Sequence, residues 1–191
     1  AIAAALRLID RASLRVGTPD YAEDNRTYGA TTLRGRHLRL DGNLVRLDYR
    51  GKGGQRVRKR LNARPLQRGL EQMDDLPGGA LMQYYDDGGE IRQLGPEQVN
   101  GWLNDVTGRE GLTAKTFRTW NGSAMRSDKP MSIKAMAQAA SETLHNTPTI
   151  ARNSYIHPAV IDLAGGGDMP DIPDGPTGLR QGERALLALL S

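Results

Sequence analysis

A chain of 191 residues with no cysteine is long enough for one or two domains with a real core, but it can form neither disulfides nor thiolate-rich metal centres. Its longest apolar runs, AIAAAL at 1–6 and ALLALL at 185–190, are too short to cross a bilayer, and the first basic residue follows the opening apolar stretch instead of preceding it, unlike a signal peptide. The net charge of +4 hides an asymmetry: residues 1–68 carry 16 Lys and Arg against 6 Asp and Glu, whereas residues 69–191 carry 10 against 16.

Of the 26 basic residues 21 are arginine, the side chain suited to forked phosphate contacts. A basic half of this kind is an electrostatic footprint for nucleic acid. An anionic membrane surface is the runner-up, but no strongly amphipathic basic helix is present to dock on it. The chain starts without methionine, inside an Ala/Leu helix pattern, as expected of a piece of a longer protein.

Residues 2–14, IAAALRLIDRASL, have apolar positions at helical spacing and no breaker; RVGTPDY then reads as irregular chain. From 31 to 62 the pattern becomes three short strands, TLRGRHLRL, NLVRLDYR and QRVRKRLN, separated by the turn signals Asp41-Gly42 and RGKGG at 50–54. In the third strand Arg56, Arg58 and Arg60 share one face and Val57 and Leu61 the other. The rest reads as mainly helical: 64–76, a small hairpin within 80–94, then helices over 96–108, 113–126 and 132–146. Ala114, Phe117, Trp120 and Ala124 align on one face of the 113–126 helix, with Phe117 and Trp120 expected in the core. A Gly/Pro/Asp linker covers 164–178 and an amphipathic helix closes the chain at 179–191. The fold class is therefore α+β, mainly α-helical, with a small three-stranded antiparallel sheet.

Most chemical signals are weak. Gly51-Lys52-Gly53-Gly54 lacks the spacing of a nucleotide-binding loop. His37, His145 and His157 have no ligand-like spacing. Asp74-Asp75 and Asp86-Asp87 sit beside turn signals, where solvated carboxylates are usual. With no carboxylate set for a metal pair, no metal or other cofactor is expected, and any phosphodiester chemistry must use the chain's own cations.

One stretch supplies a nucleophile. In TPTIARNSYIHPAV (147–160) the His157-Pro158 pair must interrupt a helix just after Tyr155, leaving a phenol near a helix end. Together, LTAKTFRTW (112–120) and LHNTPTIARNSYIHP (144–158) resemble the catalytic region of the type IB DNA topoisomerases, particularly the bacterial, poxvirus-like branch. LRVGTPDYAEDNRTYGATTLRGRHLRL (14–40) and the Lys52 hairpin are similar to two further motifs of that family.

The resemblance spans about residues 1–163 and implies the catalytic-domain fold of the DNA breaking-rejoining enzymes, without the N-terminal domain that completes a clamp around DNA. It implies that Tyr155 attacks a DNA phosphodiester to give a 3′-phosphotyrosyl enzyme, that Arg15 and Arg118 hold the nonbridging oxygens, and that Lys52 is the general acid for the leaving 5′-oxygen. Asn146 falls where many relatives carry histidine and bacterial members often asparagine, and its amide would donate one neutral hydrogen bond. His145 stands where glycine is commoner. Arg46, Arg50, Arg56, Arg58, Lys59, Arg60 and Lys115 are the expected DNA contacts. Duplex DNA is the expected partner, the expected state is a monomer and the expected place is the cytoplasmic nucleoid. Two alternatives stand beside this reading. One is a tyrosine recombinase, which usually has histidine where this chain has Lys115; the other is a non-catalytic DNA-binding domain.

Overall fold

In the computed structural model, the apolar positions of the first segment form α1 (Ile2–Ala12), with Ala5, Leu8, Ile9 and Ala12 buried along one face. The structure describes residues 1–124, 131–165, 171–172 and 176–191. They divide into two compact units, Ala1–Lys115 and Thr116–Ser191.

In the first unit, α1 ends at Ser13, whose left-handed backbone (φ 56°) turns Leu14 into the core and leaves Arg15 half-buried. A short helix, α2 (Pro19–Asp24), follows in place of the irregular chain expected there; it begins with proline and buries none of its residues, so no apolar periodicity announced it. The chain then returns to clasp the segment after α1. The Ala30 amide donates to the Arg15 carbonyl at 2.8 Å and the Thr31 amide to Val16 at 2.8 Å, while the Thr31 hydroxyl donates to the carbonyls of Val16 (3.0 Å) and Gly17 (3.1 Å). The Tyr28 amide donates to the Arg50 carbonyl at 2.7 Å, so one stretch, Tyr28–Ala30, ties the Arg15 backbone to the end of the sheet's central strand.

The sheet is the expected antiparallel meander, β1 (Leu38–Asp41), β2 (Leu44–Arg50) and β3 (Arg56–Asn62), in the order β1-β2-β3. Its first strand is shorter than the 32–40 stretch suggested. Residues 30–32 and 35–37 form 3₁₀ turns instead, because His37 accepts a hydrogen bond from the Arg34 amide through Nδ1 (3.1 Å) and packs on Tyr28 with ring centroids 4.4 Å apart. Burial and the charges of Arg36 and Arg34 hold the His37 pKa down at about 4, so this internal acceptor stays neutral.

After the sheet come α3 (Arg64–Asp74), the hairpin β4 (Gln83–Tyr85) and β5 (Ile91–Gln93), and α4 (Pro96–Thr107), which ends at Gly108 in the left-handed region. Asp86 organises the hairpin turn by accepting from the amides of Gly88 (3.0 Å) and Glu90 (2.9 Å), the turn role expected of that acidic pair. Helices α1, α3 and α4 and strand β3 pack together around Leu8, Ile9, Leu70 and Val99.

The second unit begins within α5 (Ala114–Ser123) and continues with α6 (Ile133–Leu144), α7 (Pro148–Tyr155), α8 (Pro158–Asp162) and α9 (Gln181–Leu190). Residues 125 and 126 of the helix expected over 113–126, and residues 166–170 and 173–175 of the expected linker, lie outside the described residues. Helix α8 was not anticipated, being five residues long. The expected closing helix forms and packs inward: Leu186 is buried with Ala151, Ile156 and Val160.

The clasp leaves no room at Gly29. A Cβ there would lie 2.5 Å from the Gly17 nitrogen and 2.6 Å from the Arg15 carbonyl oxygen. Gly29→Ala is therefore expected to destabilise by roughly 1–3 kcal/mol and lower Tm by roughly 2–12 °C. Gly69→Ala, in α3 with open space around it, is expected to stabilise by about 0.5–1 kcal/mol. Thermal unfolding of both variants checks the pair.

Candidate active site and basic face

Helix α7 starts with the Thr147 hydroxyl accepting from the Ile150 amide at 3.3 Å and with Pro148 in its first turn, a favoured helix start. It stops at Tyr155 because Ile156 turns extended ahead of Pro158. Ile156 is buried and Tyr155 half-buried, so the ring rests on the unit while its backbone is held from α5. The Ser123 hydroxyl donates to the Tyr155 carbonyl (3.0 Å) and accepts from the His157 amide (2.9 Å). Gly122 permits that approach: a Cβ there would meet the Tyr155 carbonyl oxygen at 2.9 Å and the Tyr155 Cβ at 3.1 Å.

Arg118 is the inward residue of α5, at 3% exposure. Phe117 and Trp120, expected in the core, are half-buried; Trp120 packs against the buried cluster of Ala140, Ala151, Ile156, Val160 and Leu186, whereas the inner stripe of this helix runs Ala114, Arg118, Asn121. A buried guanidinium must be compensated, and three features do so. One amino group of Arg118 donates to the Leu144 carbonyl at 2.8 Å. That oxygen belongs to the last residue of α6, where helical carbonyls lack partners of their own and the helix dipole is negative. The guanidinium carbon also lies 5.3 Å from the centroid of the Tyr155 ring, within cation–π range.

His145 ends α6 in the left-handed conformation (φ 49°, ψ 62°), which explains why glycine suits this position. Just beyond it, both polar atoms of the Asn146 amide are buried and have no hydrogen-bond partner among the described residues. A buried amide left unpaired costs free energy, so this group is set for a partner that the described residues do not supply. The second unit thus brings Tyr155, Arg118 and Asn146 around the end of α6.

Arg15 and Lys52 belong to the first unit. Arg15 is half-buried beside the clasp. Lys52 is exposed and opens a 3₁₀ turn between β2 and β3 in which Gly53 and Gly54 take φ of 73° and 75°, values that favour glycine. Its ammonium lies 5.8 Å from the ring centroid of Tyr21, a residue of the unanticipated α2. Tyr21 is a contact that sequence inspection missed and that no spacing signalled.

The outer face of the sheet carries the expected cations. Strand alternation exposes Arg46, Asp48 and Arg50 on β2 and Arg56, Arg58 and Arg60 on β3; Lys59, half-buried between Arg58 and Arg60, lines the same cavity as Arg46, Arg56, Arg58 and Arg60. Lys115 is exposed at the start of α5, away in sequence from this face. Register sets Arg46 opposite Arg60 and Arg50 opposite Arg56, facing like charges that would repel. Asp48, opposite Arg58, relieves them: it accepts from Arg56 at 2.7 and 2.8 Å and from Arg58 at 3.2 Å. The Arg56 hydrogen bond, with help from Arg58, lowers its pKa to about 2. Asp41 holds Arg46 in the same way at 3.0 Å.

Residues 1–153 match the family described as eukaryotic DNA topoisomerase I, catalytic core; the match includes Arg15, Lys52, Arg118 and Asn146 and stops short of Tyr155. A DNA topoisomerase 1B of Acanthamoeba polyphaga mimivirus is 25% identical over 178 residues, covering 83% of this chain and 53% of the relative. The mitochondrial DNA topoisomerase I of Rattus norvegicus is 34% identical over 134 residues, covering 64% of this chain and 20% of its own. A DNA topoisomerase 1 of Daucus carota is 30% identical over 125 residues, covering 64% and 15%. The chain therefore spans about half or less of the length of the curated relatives it matches.

Because Asp48 occupies two arginines that face solvent, Asp48→Asn is expected to release them for an external polyanion. Retention on a sulfated polysaccharide column should rise, with a steeper salt dependence, and Tm should fall as the facing arginines lose their counter-ion. Weaker retention would mean that Asp48 instead aligns the guanidinium groups for binding.

Proposed function

The chain belongs to the family of the eukaryotic DNA topoisomerase I catalytic core, and on that premise we propose that it breaks and rejoins one strand of duplex DNA through Tyr155. The observation that carries the proposal is the grouping of a buried Arg118 against the Tyr155 ring with the Asn146 amide, unpartnered among the described residues and close in sequence to the Leu144 carbonyl that holds Arg118. Fixed donors around a nucleophile are what a phosphoryl-transfer transition state requires.

In the proposed reaction the Tyr155 phenol gives up its proton to water as its oxygen attacks phosphorus, the bond from phosphorus to the 5′-oxygen breaks, and a 3′-phosphotyrosyl link replaces it. Arg118 and Asn146 stabilise the nonbridging oxygens from the second unit. Arg15, and Lys52 as the acid that protonates the leaving 5′-oxygen, enter on the strength of their motifs. One phosphodiester is exchanged for another, so the returning 5′-hydroxyl can reseal the strand without ATP, and no metal is required by the scheme. The partner is duplex DNA bound by a monomer, with Arg46, Arg50, Arg56, Arg58 and Arg60 reaching phosphates and Lys115 as a further contact. Motif spacing and Asn146 support the poxvirus-like branch. The bacterial origin they also suggested has no counterpart among the three relatives above, which are from a virus, an animal and a plant. No helix among the described residues is long and apolar enough to cross a membrane.

Relaxation of supercoiled plasmid in magnesium-free buffer without ATP, with denaturing capture of protein bound to DNA, tests the proposal. Tyr155→Phe should abolish the covalent adduct and leave binding intact. Arg118→Ala and Asn146→Ala should each slow adduct formation by roughly 10² to 10³. An adduct formed only when two duplexes are brought together would favour a recombinase. DNA binding unaffected by Tyr155→Phe, with no adduct from the parent chain, would reduce the protein to a binding domain.

A further inference from the structure

The C-terminal helix lies beyond the residues that match the family, yet it is fastened to the helix that carries Arg118. Arg180, just before α9, donates from its guanidinium to the Asn121 side-chain oxygen at 2.6 Å and also to Glu183. Glu183 accepts from the Arg180 amide at 2.6 Å and from the Trp120 indole at 3.3 Å. The lock is internal: Glu183 is 4% and Asn121 1% exposed. A carboxylate so enclosed is retained only when well paired; here burial pushes the Glu183 pKa up, but the hydrogen bonds from Arg180 outweigh it and leave it below the usual value.

Trp120 and Asn121 sit within one turn of Arg118 and immediately before Gly122 and Ser123, the two residues that touch the Tyr155 backbone. One turn further along the same face, α9 sends Leu186 into the same buried cluster as Ile156, the residue after Tyr155. One helix thus grips both elements whose separation sets the Arg118–Tyr155 distance.

We propose that α9 is a positioning element for the transesterification site, with Arg180 and Glu183 locking the last turn of α5 so that Arg118 stays in register with Tyr155. This rests on the reading of Tyr155 as nucleophile. A misplacement of about 1 Å at such a site costs on the order of 10² in rate. Neither residue of the lock touches the reacting atoms in this scheme, so the effect should fall on the chemical step and spare DNA affinity.

The test uses the full chain and the variants Arg180→Ala, Asn121→Ala, their double variant, and Glu183→Gln, which keeps the shape of the side chain. Circular dichroism confirms that each is folded. Two readouts follow: the single-turnover rate of covalent adduct formation on duplex DNA, and amide hydrogen exchange over residues 118–123 and 153–157. Expected are a fall in rate of roughly 10- to 100-fold with DNA dissociation constants within about twofold of the parent, and faster exchange in both segments while α3 is unchanged. The double variant should lose no more than the worse single one, since coupled partners are not additive.

Adduct formation at the parent rate in folded Arg180→Ala and Glu183→Gln would overturn the positioning role while leaving the Tyr155 reading intact. Absence of adduct from the parent chain would overturn the Tyr155 reading, and the positioning role with it; exchange unchanged in both segments would by itself overturn the lock.

Discussion

An arginine that is only 3% exposed needs its charge answered from within, and the second unit is arranged around that need at Arg118. The end of α6 supplies a carbonyl without a helical partner, the Tyr155 ring supplies a π-face, and the left-handed turn at His145 stops the helix where the carbonyl can be reached. The Arg118–Leu144 hydrogen bond and the Ser123 bridge to Tyr155 and His157 join α5, α6 and α7 to the start of α8 by polar contacts. A core built only of leucine and alanine lacks directional contacts; here the Ser123 hydroxyl fixes the Tyr155 backbone and the buried cation lies against the Tyr155 ring.

The first unit solves the opposite electrostatic problem. Its sheet lines up arginines directly across from one another, and the register leaves no alternative, because a slip of one residue would send Val45, Leu47 and Val57 to solvent. Asp48 at the centre of the array and Asp41 at its edge hold some of the positive charge in place. The result is a cationic face that is tolerated in isolation and still has arginine to spare. The clasp between residues 28–32 and 15–17 connects this sheet to Arg15 through main-chain hydrogen bonds, so the position of Arg15 is set by backbone geometry rather than by side-chain packing.

Much of the architecture was legible in the sequence. The helices expected over 96–108 and 132–146 form at Pro96–Thr107 and Ile133–Leu144, and the Asp41-Gly42 and Gly-rich turns defined the meander. Two short helices, Pro19–Asp24 and Pro158–Asp162, were not legible, since fewer than two turns cannot display a period. The first strand was overextended because LRGRH has strand-like alternation, whereas the His37 ring and the Arg34 amide favour a tight turn. Among the site residues, Tyr155 could be placed at a helix end from the proline that follows it. The interior position of Arg118 could not, because charge in a sequence suggests solvent unless the partners that compensate it are known.

The amino-acid sequence by itself determined the helical and strand segments, the cationic character of the first third, the absence of thiol chemistry and the motif order that marks the family. These are properties of neighbours along the chain. Only the tertiary structure decided that Arg118 is buried beside Tyr155 while Phe117 is not, that Asp48 restrains the basic face, and that the closing helix grips the turn next to the tyrosine. Each of those depends on groups from 8 to 63 positions apart meeting at hydrogen-bond or ring-contact distance, and local periodicity carries no information about such meetings.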